Sequence, residues 1–146
     1  MKNLFDDTSR QEIIDRINKL TADSKPLWGK MSVAQMLAHS ILPLELTLTN
    51  PKPPRQVLGK ILGGLVKKIL LSERPFKKSA PAPKSFQVNT PQDFNLQKER
   101  IIEIIQKFHR GCIKDFVHPF MGEMTETQWG ELQYKHLDHH LRQFGV

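Results

Sequence analysis

The stretch SVAQMLAHSILPLELTL, residues 32–48, decides the fold class. Ser32 and Gln35 have the spacing of a capping box, and the apolar residues after them surround most of the circumference of a helix. A helix with this pattern must be buried among other elements. Its polar residue His39 sits in an apolar setting and requires a partner. Pro43, four residues later, removes the amide that would bond the His39 carbonyl and predicts a kink beside the ring.

Three further segments each carry one apolar stripe at helical spacing, and no segment shows the alternation of a half-buried strand. The predicted helices run from Thr8 to before Asp23, from Thr90 through Pro91 to Cys112, and from Thr125 nearly to Phe144. A loop containing residues 117–122 precedes the last of them. Four long helices with one apolar face each predict an all-α fold, an antiparallel four-helix bundle that forms one domain over residues 1–146.

The composition is that of a globular domain and excludes the disordered and fibrous classes. Of the 146 residues, 38% are apolar and 25% are charged. The longest uncharged stretch, residues 31–44, is too short and too polar to span a bilayer. Because the N-terminus turns acidic at Asp6 and Asp7 before an apolar run develops, we expect no secretory signal and a cytoplasmic protein. The single cysteine, Cys112, excludes an internal disulfide and a cysteine-based structural metal site, so any metal must bind histidine or carboxylate.

Residues 50–91 form an insert that contains seven of the ten prolines, in two clusters. Between the clusters, residues 57–71 predict a short extra helix, which Gly63 and Gly64 weaken by roughly 1 kcal/mol each. Residues 52–84 hold nine basic side chains against one acid, Glu73, so this segment has a net charge of +8. Since the whole chain has a net charge of +7, the rest of it sums to −1. The nine are Lys52, Arg55, Lys60, Lys67, Lys68, Arg74, Lys77, Lys78 and Lys84.

The charge pattern of the insert indicates which partners to expect. A positive charge confined to one insert, without interleaved aromatic residues, argues against nucleic acid. The lysines and apolar face of residues 57–71 could lie on anionic lipid or dock a partner helix. The simpler expectation is that this helix covers the open end of the bundle.

The histidines are the most informative residues, and His136 and His140 come first among the six. On a helix these two lie ~40° apart around the axis and ~6 Å apart along it, so both can face one ion. His136 with His139 is a competing pair. With His39, the first pair would form a site of three neutral nitrogen ligands with an open position for water or substrate, as in catalytic zinc sites. The alternative is that His39 is a hydrogen-bonded core residue and that the pair lies on the surface.

The remaining histidines and the cysteine are interpreted as structural. His109 and His118 are expected to be packing or surface residues, with His118 a candidate for the border of the pocket. Cys112 ends a core stripe and is interpreted as a packing residue rather than a nucleophile.

Two motifs resemble those of the DinB-like superfamily of small four-helix-bundle metalloenzymes. The sequence WGKMS at residues 28–32, leading to QMLAH at 35–39, is similar to the histidine motif of that superfamily's second helix. HLDHHLRQ at 136–143 is similar to its last-helix His-x-x-x-His motif, followed by Arg and Gln. Residues 118–130, which begin HPFMG, resemble a branch catalogued as a domain of unknown function. The resemblance covers the chain apart from the Pro-rich insert.

The resemblance implies that His39, His136 and His140 ligate one divalent metal ion across the antiparallel bundle. Zinc and nickel are the metals it implies, with iron as a further candidate. Several members of the superfamily are S-transferases or isomerases that use a low-molecular-weight thiol such as bacillithiol or mycothiol, and the resemblance also implies a homodimer. Candidates for contacts with the ligands or the substrate are Gln143, Gln133, Glu45 and His139.

Two hypotheses for function follow. The first is a metal-dependent enzyme acting on a small molecule, with thiol transfer ahead of hydrolysis: the metal would lower the pKa of a thiol, whose thiolate attacks an electrophile. The second is a non-enzymatic, stress-related binding module with a structural or vestigial metal, whose working surface is the basic insert. Consumption of thiol in the presence of an electrophile would distinguish the two.

Overall fold

The computed structural model describes residues 1–49, 54–113 and 117–146, and this part of the chain is mostly helical, as predicted. Residues 50–53, with Lys52 and the start of the insert, lie outside the described residues, as do residues 114–116. The described elements are α1 (Asp7–Asn18), α2 (Val33–Thr49), α3 (Val57–Leu70), a 3-10 turn (Lys84–Phe86), α4 (Phe94–Gln106), the antiparallel pair β1 (Val117–His118) and β2 (Gly122–Glu123), and α5 (Glu126–Gln143).

Two predicted helix starts are confirmed by reciprocal capping. The Ser32 hydroxyl accepts a hydrogen bond from the Gln35 amide at 3.2 Å, while the Gln35 side chain accepts one from the Ser32 amide at 3.0 Å. Thr125 and Gln128 make the same pair of bonds at the start of α5. Each box satisfies amides that the first helical turn leaves without partners, so α2 and α5 begin where the sequence predicts.

The predicted start of α4 is wrong. α4 begins at Phe94 instead of directly after Thr90, because the Asp93 carboxylate accepts the Leu96 amide at 2.7 Å and takes the capping position. Aspartate caps a helix at least as well as threonine does. The helix also ends at Gln106, before Cys112, so α4 is shorter than the apolar spacing predicted.

Two further predictions need local corrections. α1 begins at Asp7, close to the predicted start near Thr8, but Asp6 rather than Thr8 takes the N-cap position. The segment predicted as a loop, residues 117–122, belongs to a hairpin of β1 and β2 that ends at Glu123. His118 Nδ1 closes this hairpin by accepting hydrogen bonds at 3.1 Å from the amides two and three residues later. Such short-range bonds from a side chain to the backbone leave no periodic pattern in a sequence.

Four helices enclose the core. α2 packs against α4 and α5, and α1 packs against the same two helices. Burying one large apolar side chain here stabilises the fold by about 1.5–3 kcal/mol relative to exposing it. Because α2 faces α5, polar residues on their inner sides meet inside the protein. The fully buried apolar residues of the four helices include Ile13, Ile17, Met36, Leu37, Ile41, Leu44, Ile101, Ile105 and Leu137.

α3 lies at the edge of this core and contacts the hairpin turn through its glycines. A Cβ on Gly59 or Gly63 would lie 2.5 or 2.3 Å from the Phe120 carbonyl oxygen, so only glycine permits this approach. Val66 and Leu70 of this helix pack against the core, while most of its large apolar side chains are exposed. Neither α3 nor any other helix in the described part of the chain is long and apolar enough to cross a bilayer.

Candidate metal centre

Three histidines converge where α2 faces α5. His39 lies on α2, and His136 and His140 lie one turn apart on α5. The His136 and His140 ring centroids are 4.7 Å apart, and the His39 centroid lies 5.2 and 4.8 Å from them. One ring nitrogen from each residue lies within 4.8 Å of the other two. The structure therefore brings together the three histidines that the sequence indicated, and they could hold a metal ion.

The spacing of the ring nitrogens fits such an ion. His39 Nε2 lies 3.3 Å from His136 Nε2. Nitrogen ligands about 2.0–2.1 Å from a tetrahedral zinc ion are separated from each other by about 3.3–3.4 Å. The observed separation fits two ligands of one tetrahedral centre, and it is also the length of a hydrogen bond between the two rings. A donor set of three imidazoles suits zinc, nickel and iron.

Hydrogen bonds hold two of the rings in the orientation that a ligand needs. His39 Nδ1 donates to the Phe86 carbonyl at 2.6 Å. His140 Nδ1 donates to Gln143 Oε1 at 2.9 Å, and Gln143 Nε2 donates to the Trp28 carbonyl at 2.7 Å. Because both acceptors are carbonyl oxygens, each Nδ1 carries the proton and each Nε2 keeps its lone pair. Such partners of the second ring nitrogen accompany metal-binding histidines almost always.

Burial keeps the three rings neutral. Desolvation lowers the pKa of His39, lowers that of His136 well below its usual range, and lowers that of His140 to about 4. Repulsion between neighbouring imidazolium charges lowers the pKa of His136 and His140 further. Since metal binds the neutral imidazole, the rings are in the ligand form at neutral pH.

His136 has one ring nitrogen without a partner. Its Nδ1 is buried and makes no hydrogen bond to any described residue. A buried polar atom left in this state costs about 1–3 kcal/mol. If His39 and its neighbours were only core residues, we would expect every buried ring nitrogen to have a hydrogen-bond partner. The unpartnered Nδ1 of His136 departs from that arrangement.

His139 lies outside the group of three and belongs to an aromatic rim beside it. Its ring centroid is 5.8 Å from the rings of Trp28 and Phe76, and 5.2 Å from the nearest ring of the three. Lys78 Nζ lies 4.5 Å from the Trp28 centroid, and Lys135 Nζ lies 4.6 Å from the Phe76 centroid. The rim therefore combines aromatic faces with two ammonium groups.

Of the predicted outer contacts, Gln143 bonds directly to one of the three histidines, His140. Gln133 is also buried on α5, but its amide donates to Thr47 Oγ1 at 2.8 Å. Glu45 forms an ion pair with Arg100 at 2.5 Å. Among the described hydrogen bonds and ion pairs, those of Gln133 and Glu45 lead away from the histidines, so the structure does not bring these two residues to the site.

The other histidines and the cysteine lie at packing or surface positions, as the sequence predicts. The His118 ring lies 5.4 Å from the Trp129 ring, and burial, followed by the charge of Arg55, lowers its pKa to about 4. His109 is exposed, and Cys112 is half-buried against the core.

The part that the insert plays at the site was missed by the sequence reasoning. The Phe86 carbonyl orients His39, and Phe76 and Lys78 belong to the rim. A backbone acceptor has no side-chain signature, so the bond to His39 leaves no trace in the sequence. The available signal was the presence of two phenylalanines in an otherwise polar, Pro-rich segment, since such residues usually pack against something.

Comparison with known proteins shows the family. Residues 2–145 match a family described as "Protein of unknown function (DUF1569)". No curated protein and no solved structure matches the chain significantly. The matched range includes the insert, which the resemblance to DinB-like proteins left out. Because the match covers nearly the whole sequence, the chain belongs to the DUF1569 family of proteins of unknown function.

Proposed function

We propose that this protein is a metal-dependent enzyme with one divalent ion at His39, His136 and His140. The observation that carries the proposal is the convergence of three neutral imidazoles, with one ring nitrogen of each within 4.8 Å of the other two. The hydrogen bonds to Phe86 and Gln143 support it, because they leave the Nε2 atoms of two rings available as ligands. Zinc and nickel are the first candidates for the ion, and iron is the next.

The proposal includes an antiparallel four-helix bundle of the DinB-like type, formed by α1, α2, α4 and α5. The packing of α1 and α2 against α4 and α5 supports this arrangement. Metal sites of helix bundles are built from side chains on facing helices, as the contact between α2 and α5 allows here. α3 and the rest of the insert are then additions to the bundle.

The chemistry follows from the donor set and the rim. A divalent ion bound only by neutral imidazoles keeps its full charge and lowers the pKa of a thiol or water beside it. Trp28 and Phe76 offer apolar surface to the organic part of a small molecule. Lys78 and Lys135 favour negative charge at the same place, and two carbonyls of the insert fix Lys135 Nζ at 2.8 and 2.6 Å.

The reaction that we place first is transfer of a low-molecular-weight thiol to an electrophile, with hydrolysis second. Both reactions begin with loss of a proton, from a thiol or from water, and an ion with neutral ligands favours both. The position of Cys112 supports an external thiol, because the chain's one cysteine packs against the core and is not part of the histidine cluster.

The test is thiol consumption by untagged protein loaded with zinc, nickel or iron, in the presence of a low-molecular-weight thiol and monobromobimane. The wild type and the control variant His109→Ala, which changes an exposed histidine outside the site, should consume thiol faster than the same metal salt alone, and His136→Ala should not. Circular dichroism shows whether each variant keeps its helices. A wild-type rate equal to that of the metal salt would overturn thiol transfer, and ester hydrolysis without thiol by the same protein would favour the hydrolase.

A further inference from the structure

α3 exposes the side that an amphipathic helix normally buries. Its buried residues are Gly59 and Gly63, which have no side chains and face the hairpin turn. Six large apolar side chains of α3 are instead between 41% and 76% exposed. These six side chains, here named the α3 apolar face, are Val57, Leu58, Ile61, Leu62, Leu65 and Ile69.

The α3 apolar face lies on one side of the helix, interrupted by Lys68 alone, and the packing of the helix holds it outward. At 100° per residue, the six positions span an arc of about 140° around the helix. Gly59 and Gly63 lie on the far side, where a Cβ would come within 2.5 Å of the Phe120 carbonyl oxygen. Rotating α3 to bury its apolar face would bring large side chains to this contact. The close approach of the glycines therefore fixes which side of α3 is exposed.

Positive charge borders the α3 apolar face. Lys60 lies about 60° beyond the Val57 edge of the arc, and Lys68 lies inside the arc, about 20° from Val57. Lys67 turns toward the hairpin, where its Nζ donates to the Glu123 carbonyl at 2.8 Å. The helix, VLGKILGGLVKKIL, has no acidic residue. Residues 52–84 as a whole hold nine basic side chains against one acid. An apolar strip bordered by lysines is typical of helices that lie in the plane of a membrane surface.

A second copy of the chain is a poorer occupant of this face than a lipid surface. Contact between two α3 helices would bring two strongly basic segments together, which electrostatic repulsion opposes. An anionic bilayer instead attracts basic residues, and the boundary between its headgroups and acyl chains accepts exposed apolar side chains. If this apolar patch stayed in contact with water, it would also favour aggregation, so we expect it to be covered.

We propose that α3 lies on an anionic membrane surface, with the α3 apolar face at the boundary between headgroups and acyl chains and with Lys60 and Lys68 among acidic headgroups. The association is peripheral, which agrees with the finding that no described helix is long and apolar enough to cross a bilayer. It goes beyond the proposed enzymatic function and does not depend on the metal centre.

The experiment is sedimentation of the untagged full chain with vesicles of phosphatidylcholine alone or of phosphatidylcholine mixed with phosphatidylserine. The protein should bind the mixed vesicles about tenfold or more tightly than the neutral ones, and salt should weaken that binding. Lys68→Glu should lower binding to the mixed vesicles severalfold, because it reverses one charge beside the lipid.

Two leucine variants form a matched pair. Leu58 on the α3 apolar face and Leu96 on α4 are both 58% exposed. Leu58→Ser should weaken binding to the mixed vesicles about fivefold or more, and Leu96→Ser should leave it unchanged. Absence of binding to the mixed vesicles, or equal losses in the two variants, would overturn the proposal. The proposal would also be overturned if the wild type were a dimer that binds no vesicles and the Leu58→Ser variant were a monomer. A second copy of the chain would then cover the α3 apolar face.

Discussion

Replacing Gln143 with leucine should weaken metal binding without removing a ligand. The Gln143 amide accepts the His140 Nδ1 proton at 2.9 Å and donates to the Trp28 carbonyl at 2.7 Å. Leucine has a similar size but can do neither, so His140 would lose the bond that keeps its proton on Nδ1 and its lone pair on Nε2. Loss of such a partner typically costs about 10–100-fold in metal affinity. That range corresponds to about 1.4–2.7 kcal/mol.

Gln133→Leu is the matched control. Gln133 is also a buried glutamine on α5, and its amide donates to Thr47 Oγ1 and the Pro43 carbonyl rather than to a histidine. Gln143→Leu should lower the free energy of unfolding, because His140 Nδ1 and the Trp28 carbonyl lose their shared partner. Gln133→Leu should lower it less, because Thr47 Oγ1 stays bonded to the Pro43 carbonyl at 2.8 Å. In competition titrations with a chromogenic chelator at pH 7, only Gln143→Leu should raise the Kd for zinc. An unchanged Kd in Gln143→Leu, or equal increases in both variants, would refute the reasoning.

Three other predictions concern stability. Gly63→Ala places a Cβ 2.3 Å from the Phe120 carbonyl oxygen, whereas Gly64→Ala meets nothing within 4 Å. Overpacking should therefore cost Gly63→Ala about 1–3 kcal/mol while Gly64→Ala gains up to about 1 kcal/mol, and equal urea midpoints would contradict this. The folded pKa of His118 is about 4, below its usual value of about 6.5, so protons bind the unfolded state preferentially. The contribution of His118 to the free energy of unfolding is complete above pH 6.5 and falls by up to about 3 kcal/mol as the pH falls toward 4. His118→Asn keeps a hydrogen-bond acceptor but cannot titrate, so its free energy of unfolding, measured with urea, should fall less over the same interval. An identical pH profile in the two proteins would count against the assignment. Removing zinc with a chelator should lower the melting temperature, since zinc at about 100 times its Kd stabilises by about 2.7 kcal/mol, and His139→Ala should respond like the wild type. A melting temperature indifferent to the chelator would exclude a folded-state zinc site.

The features of the fold that could be predicted are those fixed by neighbours in the sequence. The capping boxes of Ser32 and Thr125 involve partners three residues away, so the pattern contains the whole interaction. The predicted start of α4 was wrong because Thr90 and Asp93 can both cap a helix. The choice between them depends on which following turn packs on the core. The exposed side of α3 could not be predicted either, because it depends on the contact of two glycines with a distant hairpin.

The candidate site divides in the same way. His136 and His140 lie on one helix, and their spacing alone predicts that they share a face. His39 comes from another helix, and its place beside them depended on the resemblance to DinB-like proteins until the structure showed the three rings together. The bond from His39 to Phe86 joins residues 47 positions apart through a backbone carbonyl, so neither periodicity nor residue type could indicate it.

Elemental analysis of the untagged protein tests the central claim most directly, since a histidine tag would load metal by itself. The samples are the wild type, the double variant His136→Ala with His140→Ala, and His139→Ala, each reconstituted with zinc, nickel or iron and then dialysed. We expect about one equivalent of metal per chain in the wild type and in His139→Ala, and none in the double variant. A wild type that retains no metal after reconstitution, or a double variant that retains as much as the wild type, would contradict it.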